Sequence, residues 1–431
     1  MIETAYVAPW AFTDGALRRD VRFDVDADGR IANVGDANEP GNAPMRRSLG
    51  NALWLPGFVN AHSHAFQRGI RGQTHRRAPG ENSFWSWRTA MYEAANTLDP
   101  DGLYAITKSA FAEMLRAGIT HVGEFHYVHH QQGGAPYDDP NELSWRVVQA
   151  ARDVGIRLTL LEVFYARAGA GKEPLPEQLR FCDGSVDAYL SRVDALRADG
   201  VDVGITPHSI RAASAEQIRE LVAYARTHDL VVHTHLSEQP RENEECLAEH
   251  GTTPAGAFER CGALERPRRF TAVHATHLDD ADFERLATQS VCACPTTEAD
   301  LGDGILDAPR LADAGTSLSL GSDSNAIIDL VQEARLLEMN DRLARGARCR
   351  LNDATGALGP VLANAATHGG ALALGATGGR LRQGDAFDAV IVDLDHPFFE
   401  HVPPEHALDA LFTAGTSAPI RQVVVHGREM L

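Results

Sequence analysis

The chain has 431 residues, of which 44% are hydrophobic, and it carries a formal net charge of −19 at pH 7. This charge disfavours nucleic acid and other polyanionic partners, and no basic stretch offsets it. No run of about 18 apolar residues that could span a membrane occurs, and the first residues do not resemble a signal peptide. The six cysteines are scattered and form no CxxC pair, which is typical of reduced thiols. We therefore expect a cytoplasmic protein with a sizeable core.

The two ends of the chain both contain short segments with the pattern of β-strands. Residues 1–54 contain alternating segments such as 21–25, and residues 376–431 contain the apolar runs 389–392 and 422–425. Neither end is long enough to form a stable hydrophobic core on its own. We therefore predict that both ends combine into one small β-sandwich domain beside a central domain of residues 55–375.

The central part alternates short runs rich in Val, Ile and Leu with longer stretches of helical spacing. The short runs are 54–61, 119–125, 156–163, 201–207, 230–236, 270–275, 290–295 and 316–322. Helical spacing is clear in 103–115, which ends near Gly118, and in 214–228, where Ser214 and Gln217 fit a capping box. Eight strand–helix units predict an α/β fold, a (β/α)₈ barrel.

Polar residues recur where the predicted barrel strands end. His62 and His64 follow the first strand and share one face of it. The other strand ends carry Glu124, His208 with Arg211, the segment 233–238, the segment 274–277, and Asp323. In this fold the carboxyl ends of all strands meet at one mouth, where catalytic residues lie. The sequence therefore predicts that these side chains converge.

Three histidines and one aspartate in this set suit an open catalytic metal site. His62, His64 and His235 would supply nitrogen ligands and Asp323 an oxygen ligand to one divalent ion, with Zn²⁺ favoured, although Fe²⁺ and Mn²⁺ share such ligands. Such an ion lowers the pKa of its bound water to about 7.

Two further residues fit the chemistry of that site. Glu238, three residues after His235, would move a proton, and His274 would hold the attacking water or the developing oxyanion. His233 shares a strand face with His235 but lies deeper, so we interpret it as a packed or supporting residue rather than a ligand.

The segments PGFVNAHSH, HTHLSE, VHATH and GSDS, in that order, resemble the mononuclear deaminase branch of the amidohydrolase superfamily. The resemblance extends to NAATHGGALALG and GRLRQGDAFDAVIVD near the end of the chain. It implies a barrel with a small β-domain, and a homodimer. His208 stands where binuclear members carry a carboxylated lysine, which favours one metal ion over two.

Five other segments, HSHAFQR, FWSWR, EFHYVHH, TPHSIR and CPTTEADLGDG, are similar to the formimidoylglutamate deiminase family of histidine degradation. This similarity implies hydrolysis of N-formimino-L-glutamate to N-formyl-L-glutamate and ammonia, by attack of metal-bound hydroxide on the C=N carbon. The small anionic substrate has two carboxylates, which bidentate guanidinium groups bind well. The implied substrate-binding residues are Arg88 and Arg211, with Gln67, Tyr127 and His208 as hydrogen-bonding neighbours.

Other interpretations remain open at this point. The protein could instead be a related deaminase or chlorohydrolase that acts on a purine, pyrimidine or triazine. It could also be a catalytically inactive member of the superfamily that serves as a scaffold. The segment 294–304 suits a turn that covers the site. His126, His129 and His130 have no assigned role and are interpreted as loop residues.

Overall fold

The computed structural model describes residues 2–39, 43–75 and 84–430. Within them, strands form two sheets of eight strands each. The strands are β1 (Ile2–Thr13), β2 (Ala16–Asp26), β3 (Ile31–Asp36), β4 (Met45–Ser48), β5 (Ala52–Pro56), β6 (Phe58–Ser63), β7 (Ile119–His126), β8 (Arg157–Phe164), β9 (Val203–Pro207), β10 (Val232–Leu236), β11 (Phe270–His274), β12 (Ser290–Ala293), β13 (Ser317–Leu320), β14 (Ala389–Asp393), β15 (Ile420–Val425) and β16 (Arg428–Glu429).

Helices separate the strands of the central region. They are α1 (Phe84–Thr97), α2 (Pro100–Arg116), α3 (Glu142–Val154), α4 (Val186–Ala198), α5 (Ala215–Thr227), α6 (Pro240–His250), α7 (Pro254–Arg260), α8 (Asp280–Arg285), α9 (Pro295–Leu301), α10 (Ala308–Ala314), α11 (Leu330–Arg345), α12 (Gly359–Ala366), α13 (His368–Ala373) and α14 (Ala407–Ala414). Short 3₁₀ helices cover Ala65–Ile70, Pro176–Phe181, Pro397–Phe399 and Pro404–His406. Among the helices described, none has the length and apolar content that a membrane span requires.

The helical pattern in the sequence has a local physical cause. The capping box predicted at the start of α5 is present, because Gln217 N–H donates to Ser214 Oγ at 3.2 Å and Ser214 N–H donates to Gln217 Oε1 at 2.9 Å. The helix predicted over 103–115 is α2, which begins earlier at Pro100, because Asp99 caps it by accepting from Gly102 N–H at 2.7 Å.

Strands β6 to β13 form the predicted barrel. They pair in parallel and in chain order, and a bridge between Ser63 and Asp323 joins the first strand to the segment after the last. At this closure His64 N–H donates to the Asp323 carbonyl at 2.8 Å, and Asp323 N–H donates to the His62 carbonyl at 3.0 Å. The barrel prediction is confirmed, and its closure brings strand ends one and eight into direct contact.

The run 54–61, predicted as one strand, is two strands in different sheets. It breaks at Gly57, between β5 in the sheet of the termini and β6 in the barrel. A Cβ at Gly57 would lie 2.1 Å from Thr120 Oγ1, so the close approach of the chain requires glycine there. Strand β5 crosses the boundary predicted at residue 54, and the division into 1–54 with 376–431 and 55–375 stays a prediction.

Both ends of the chain build the second sheet, as predicted, and it is one continuous sheet. Its order is β16-β15-β14-β5-β1-β2-β3, with β4 paired to β1. The fully buried Trp54 in β5 lies in its core, with ring centroids 6.4 Å from Phe23 and 6.2 Å from Phe387. Strand β5 pairs with N-terminal β1 and C-terminal β14, so it joins the two ends of the chain.

Helix α13 packs directly against the barrel wall. A Cβ at Gly369 would lie 2.0 Å from the Leu318 carbonyl oxygen, and one at Gly370 would lie 2.4 Å from the Val59 carbonyl oxygen. Small buried side chains form a cluster there, namely Ala61, Val273, Cys292, Cys294 and Ala373. All six cysteines are unpaired.

Candidate active site

The carboxyl ends of the barrel strands bring His62, His64, His235 and Asp323 together. One ligand atom from each of these four buried side chains lies within 4.8 Å of the others. His62 Nε2 and His64 Nε2 are 3.1 Å apart, and Asp323 Oδ1 lies 3.5 and 3.3 Å from them. The positions predicted for metal ligands therefore form a single cluster.

Hydrogen bonds orient the histidine rings of this cluster. The Nδ1–H of His64 donates to the Phe125 carbonyl at 3.0 Å, and that of His235 donates to the His208 carbonyl at 3.1 Å. Because a carbonyl only accepts, each Nε2 is left with a free lone pair that faces the cluster. His233 Nε2 lies 3.3 Å from His62 Nδ1, so His233 sits behind a predicted ligand.

The cluster fits one divalent ion. Burial lowers the pKa of His62, His64 and His235, so the rings are neutral and their lone pairs are available. Two ligands about 2.1 Å from a common ion are about 3.0–3.4 Å apart, close to the separations of 3.1 and 3.3 Å found here.

The backbone around Asp323 is held in an unusual conformation. Asp323 and Asn325 have φ values of 43° and 56°, a region that non-glycine residues rarely adopt. The Asn325 amide donates to Ser63 Oγ at 3.1 Å and accepts from Ser322 Oγ at 2.6 Å. Asn60 Nδ2 in turn donates to Ser322 Oγ at 2.7 Å. These bonds compensate for the strain and join β6 to the Asp323 segment.

Glu238 and His274 lie beside the cluster. Glu238 Oε1 is 3.6 Å from His274 Nε2, which is 3.8 Å from Asp323 Oδ2. Burial raises the pKa of Glu238, although His274 and Arg211 oppose the shift. Burial disfavours a charged His274, yet Glu238, Glu298 and Asp323 together raise the pKa of His274 well above its ordinary value. The pair can therefore exchange protons and donate to a developing negative charge.

Glu298 is a site residue that sequence reasoning did not identify. Its Oε1 lies 3.4 Å from His274 Nδ1 and accepts from Cys294 N–H at 2.8 Å. The segment 294–304, predicted as a turn, contains helix α9, which presents this buried carboxylate to His274. The sequence carries no local signal for this role, because the same segment also contains Asp300 and Asp303.

A partly open cavity lies next to the cluster. All five residues predicted to bind substrate line it, namely Gln67, Arg88, Tyr127, His208 and Arg211. His64, His235, Glu238 and Asp323 line it as well. The five predicted substrate-binding residues therefore share one cavity with Glu238 and with three of the four predicted metal ligands.

The two arginines have different surroundings. Arg211 has a side chain 12% exposed and lies 3.8 Å from Glu238 Oε2 and 3.9 Å from Glu242 Oε2. The Arg88 guanidinium lies 4.5 Å from the Trp85 ring centroid and 5.6 Å from the Tyr92 ring centroid. Arg211 is thus placed beside the proton-transfer pair, and Arg88 lies on an aromatic wall.

Gln67 and Tyr127 form a connected pair in this wall. Gln67 Nε2 donates to the Tyr127 hydroxyl at 3.0 Å, and that hydroxyl lies 3.3 Å from Met91 Sδ. The aromatic residues Trp87, Tyr92 and Tyr165 also line the cavity. Sequence reasoning missed them, because only the packing of α1 and of the end of β8 brings them to the site.

His126, interpreted from the sequence as a loop residue, is instead the last residue of β7, and His126, His129 and His130 are all buried. His129 Nε2–H donates to the Val163 carbonyl at 2.8 Å, and His129 Nδ1 lies 3.4 Å from Glu162 Oε1. His130 Nε2 lies 3.7 Å from Asp183 Oδ1. Arg192 pairs with both acids, so His129 and His130 contact a polar network behind the cavity wall.

Comparisons with known proteins identify the family of this chain. The model of the amidohydrolase family matches residues 53–430. The formimidoylglutamate deiminase of Pseudomonas aeruginosa is 40% identical over 99% of this chain and 94% of its own. The 5-methylthioadenosine/S-adenosylhomocysteine deaminase of Natronomonas pharaonis is 30% identical over 93% of this chain and 85% of its own.

A solved structure shows the same architecture. An amidohydrolase from Brucella melitensis superposes with a TM-score of 0.91 at 34% identity and covers 99% of this chain and 94% of its own. The family resemblance found in the sequence is confirmed by these matches. The chain belongs to the amidohydrolase family and is a hydrolase of the deiminase type that acts on C–N bonds.

Proposed function

We propose that this protein hydrolyses N-formimino-L-glutamate to N-formyl-L-glutamate and ammonia, a step of histidine degradation. One observation carries the proposal: Arg88 and Arg211 line the same cavity as Glu238 and the histidine–aspartate cluster. A substrate with two carboxylates and one amidine needs cationic partners beside a hydrolytic centre, and a protein with a net charge of −19 must supply them locally. The name of the Pseudomonas relative supports the same substrate.

The proposed site would hold one divalent ion through His62, His64, His235 and Asp323, and Zn²⁺ is the favoured ion. When bound, the ion supplies hydroxide at neutral pH. A single ion is supported by His208, because its imidazole stands at the fourth strand end with Nδ1 3.3 Å from Ser209 Oγ and offers no bridging carboxylate.

The residues of the chain would carry the proton transfers. Glu238 accepts a proton from the nucleophilic water and delivers it to the amidine nitrogen, because its raised pKa makes both directions accessible. His274 Nε2–H donates to the oxygen that becomes the formyl carbonyl, while Glu298 holds His274 Nδ1. Glu238 then passes a second proton, from the hydroxyl of the tetrahedral adduct, to the same nitrogen, which leaves as ammonia when the C–N bond breaks and the C=O bond forms.

Substrate orientation would depend on the cavity wall. Arg211, 3.8 Å from Glu238, would bind the carboxylate nearer to the amidine. Gln67, Tyr127 and His208 would donate hydrogen bonds to the substrate around that point. A homodimer and a cytoplasmic location complete the proposal, and sedimentation of the purified protein tests the first of them.

The test is release of ammonia by the zinc-reconstituted protein from four substrates. They are N-formimino-L-glutamate, S-adenosylhomocysteine, guanine and cytosine, each supplied at the same concentration. We expect turnover of N-formimino-L-glutamate that exceeds turnover of each base-containing compound by about 100-fold or more. Turnover of S-adenosylhomocysteine or a free base without turnover of N-formimino-L-glutamate would overturn the proposal. The aromatic rings of the cavity would then serve to stack a base.

A further inference from the structure

We propose that the hydroxyls of Tyr92 and Tyr165, aligned by the Gln178 amide, form a clamp for the distal carboxylate of the substrate. This inference rests on the proposed function and names the part of the chain that selects a second negative charge. Tyr92 and Tyr165 line the cavity together with Arg88 and Arg211. All three residues of the clamp are buried, with exposed fractions of 7%, 5% and 1% for Tyr92, Tyr165 and Gln178.

The orientation of the Gln178 amide follows from its backbone partner. Leu175 N–H donates to Gln178 Oε1 at 2.9 Å. Because a backbone N–H only donates, the amide oxygen must face Leu175 and the amide nitrogen must face the opposite side. Gln178 Nε2 there donates to the Tyr92 hydroxyl at 3.0 Å and to the Tyr165 hydroxyl at 2.8 Å. Both amide hydrogens are therefore used on the two phenols.

A count of donors shows what the two phenols can bind. Each hydroxyl oxygen accepts one bond from Gln178, so each phenol retains its own hydrogen for donation. Tyr92 and Tyr165 are close enough to interact with each other, and a bond between them uses one hydrogen at most. At least one hydroxyl hydrogen therefore remains for an acceptor in the cavity.

The charges around the phenols favour an anionic acceptor. The positive charges of Arg88 and Arg211 act on Tyr165, and burial raises the pKa of Tyr165 well above its ordinary value, so the phenol keeps its proton. The guanidinium of Arg88 lies 5.6 Å from the Tyr92 ring centroid. A carboxylate offers only acceptors and a negative charge, so it complements this corner of the cavity.

The clamp is held in place by a second buried residue, Arg180. Its Nη2 donates to the Leu98 carbonyl at 3.1 Å and its Nε donates to the His130 carbonyl at 3.1 Å. Arg180 itself lies in the 3₁₀ helix Pro176–Phe181, as Gln178 does. Its bond to Leu98, the residue after α1, ties this 3₁₀ helix to α1, the helix that contains Arg88 and Tyr92. The clamp residues are thus fixed before substrate enters, which reduces the entropy lost on binding.

The position of the clamp assigns the two carboxylates. Arg211 lies 3.8 Å from Glu238, whereas the Arg88 guanidinium lies 4.5 Å from the Trp85 ring centroid and 5.6 Å from the ring centroid of Tyr92 in the clamp. The carboxylate next to the amidine therefore belongs to Arg211, and the γ-carboxylate belongs to the clamp and Arg88. Selection for a negative charge at the γ-position is the expected consequence.

The experiment compares two substrates in phenol-removing variants. Tyr92→Phe, Tyr165→Phe and the double variant are assayed with N-formimino-L-glutamate and with N-formimino-L-glutamine, in which the γ-carboxylate is an uncharged amide. Tyr104→Phe is the matched control, because its hydroxyl bonds Asp153 outside the cavity. We expect each single clamp variant to raise KM for the glutamate substrate by about tenfold or more with kcat within about threefold. KM for the glutamine substrate should stay within about threefold of wild type.

A variant of the aligning residue gives a second readout. Gln178→Met keeps the size of the side chain and removes both amide donors, so it should lower the preference for the γ-carboxylate as the phenol variants do. Direct binding of the product N-formyl-L-glutamate, measured by calorimetry, should weaken by a similar factor in all clamp variants that unfold at the wild-type temperature.

The outcomes separate the clamp from the proposed function. If wild-type protein does not hydrolyse N-formimino-L-glutamate, the proposed function fails. If wild type hydrolyses it and the phenol variants keep KM and product affinity, or lose both substrates equally, the clamp is wrong while the function stands.

Discussion

At the scale of single residues, the chemistry depends on which ring nitrogen of each histidine faces the cluster. Backbone carbonyls of Phe125 and His208 hold the Nδ1–H groups of His64 and His235. The cluster thus receives two oriented lone pairs that need no rearrangement on metal binding. This preorganisation comes from the backbone positions at strand ends, which the barrel fixes.

Glu238 is expected to move protons without holding the metal. In Glu238→Gln the amide cannot accept a proton, so turnover of N-formimino-L-glutamate should fall by a factor of at least about 10² while metal content is unchanged. Stopped assays of ammonia and metal analysis on one preparation measure both. Glu265→Gln is the control, because Glu265 pairs with Arg226 on the surface. Turnover like wild type in the Glu238 variant would remove this residue from the mechanism.

Arg211 is expected to bind the carboxylate nearest to the amidine. Arg211→Met should raise KM by about tenfold or more, because the carboxylate of the bound substrate would lose its charged partner in the cavity. Steady-state kinetics with N-formimino-L-glutamate measure this effect. Arg219→Met on the exposed face of α5 is the control. An unchanged KM in the Arg211 variant would argue against an anionic substrate.

At the scale of elements, the closure of the barrel is also the frame of the active site. The hydrogen bonds between His62, His64 and Asp323 run along the backbone that joins β6 to the segment after β13. Asn325 fixes that segment through Ser63 and Ser322. We call this junction between β6 and the segment after β13 the seam. The stability of the fold and the geometry of the metal ligands are therefore coupled at the seam.

Removal of the Asn325 amide tests this coupling. Asn325→Ala removes the acceptor of the Ser322 hydroxyl and the donor to Ser63 Oγ, and it keeps a non-glycine residue at a positive φ. The free energy of unfolding should therefore fall by about 1–3 kcal/mol. Metal affinity should fall in the same variant, because Asp323 loses its support. Denaturant unfolding and metal titration measure the two effects, with the exposed Asn38→Ala as the control. Loss of stability with unchanged metal affinity would show that the seam and the site are independent.

The sequence predicts some elements better than others, for physical reasons. Periodicity and capping locate α5, and the strand ends locate the histidines, because these signals are local. The run 54–61 hides a change of sheet, since β5 and β6 are both buried and only the contact of Gly57 with Thr120 separates them. Glu298, Tyr92 and Gln178 reach the site through tertiary packing, which no local pattern encodes.

At the scale of the whole molecule, an ion bound to His62, His64, His235 and Asp323 would link the first, fifth and eighth strand ends of one barrel. Such an ion binds the folded chain far better than the unfolded chain and therefore stabilises it. Removal of the metal with a chelator should lower the midpoint of thermal unfolding by about 5 °C or more. Scanning calorimetry before and after addition of Zn²⁺ measures this shift, and an identical midpoint would contradict a structural link between the strands.

The most direct test of the site is the number of metal ions per chain in two histidine variants. Wild type and His208→Gln should each hold one ion after dialysis, because His208 is not assigned as a ligand. His208 is a stringent control, since its ring centroid lies only 4.8 Å from that of His235. His235→Gln should hold far less than one. Two ions in wild type, or equal metal content in the two variants, would contradict a single ion held by His62, His64, His235 and Asp323.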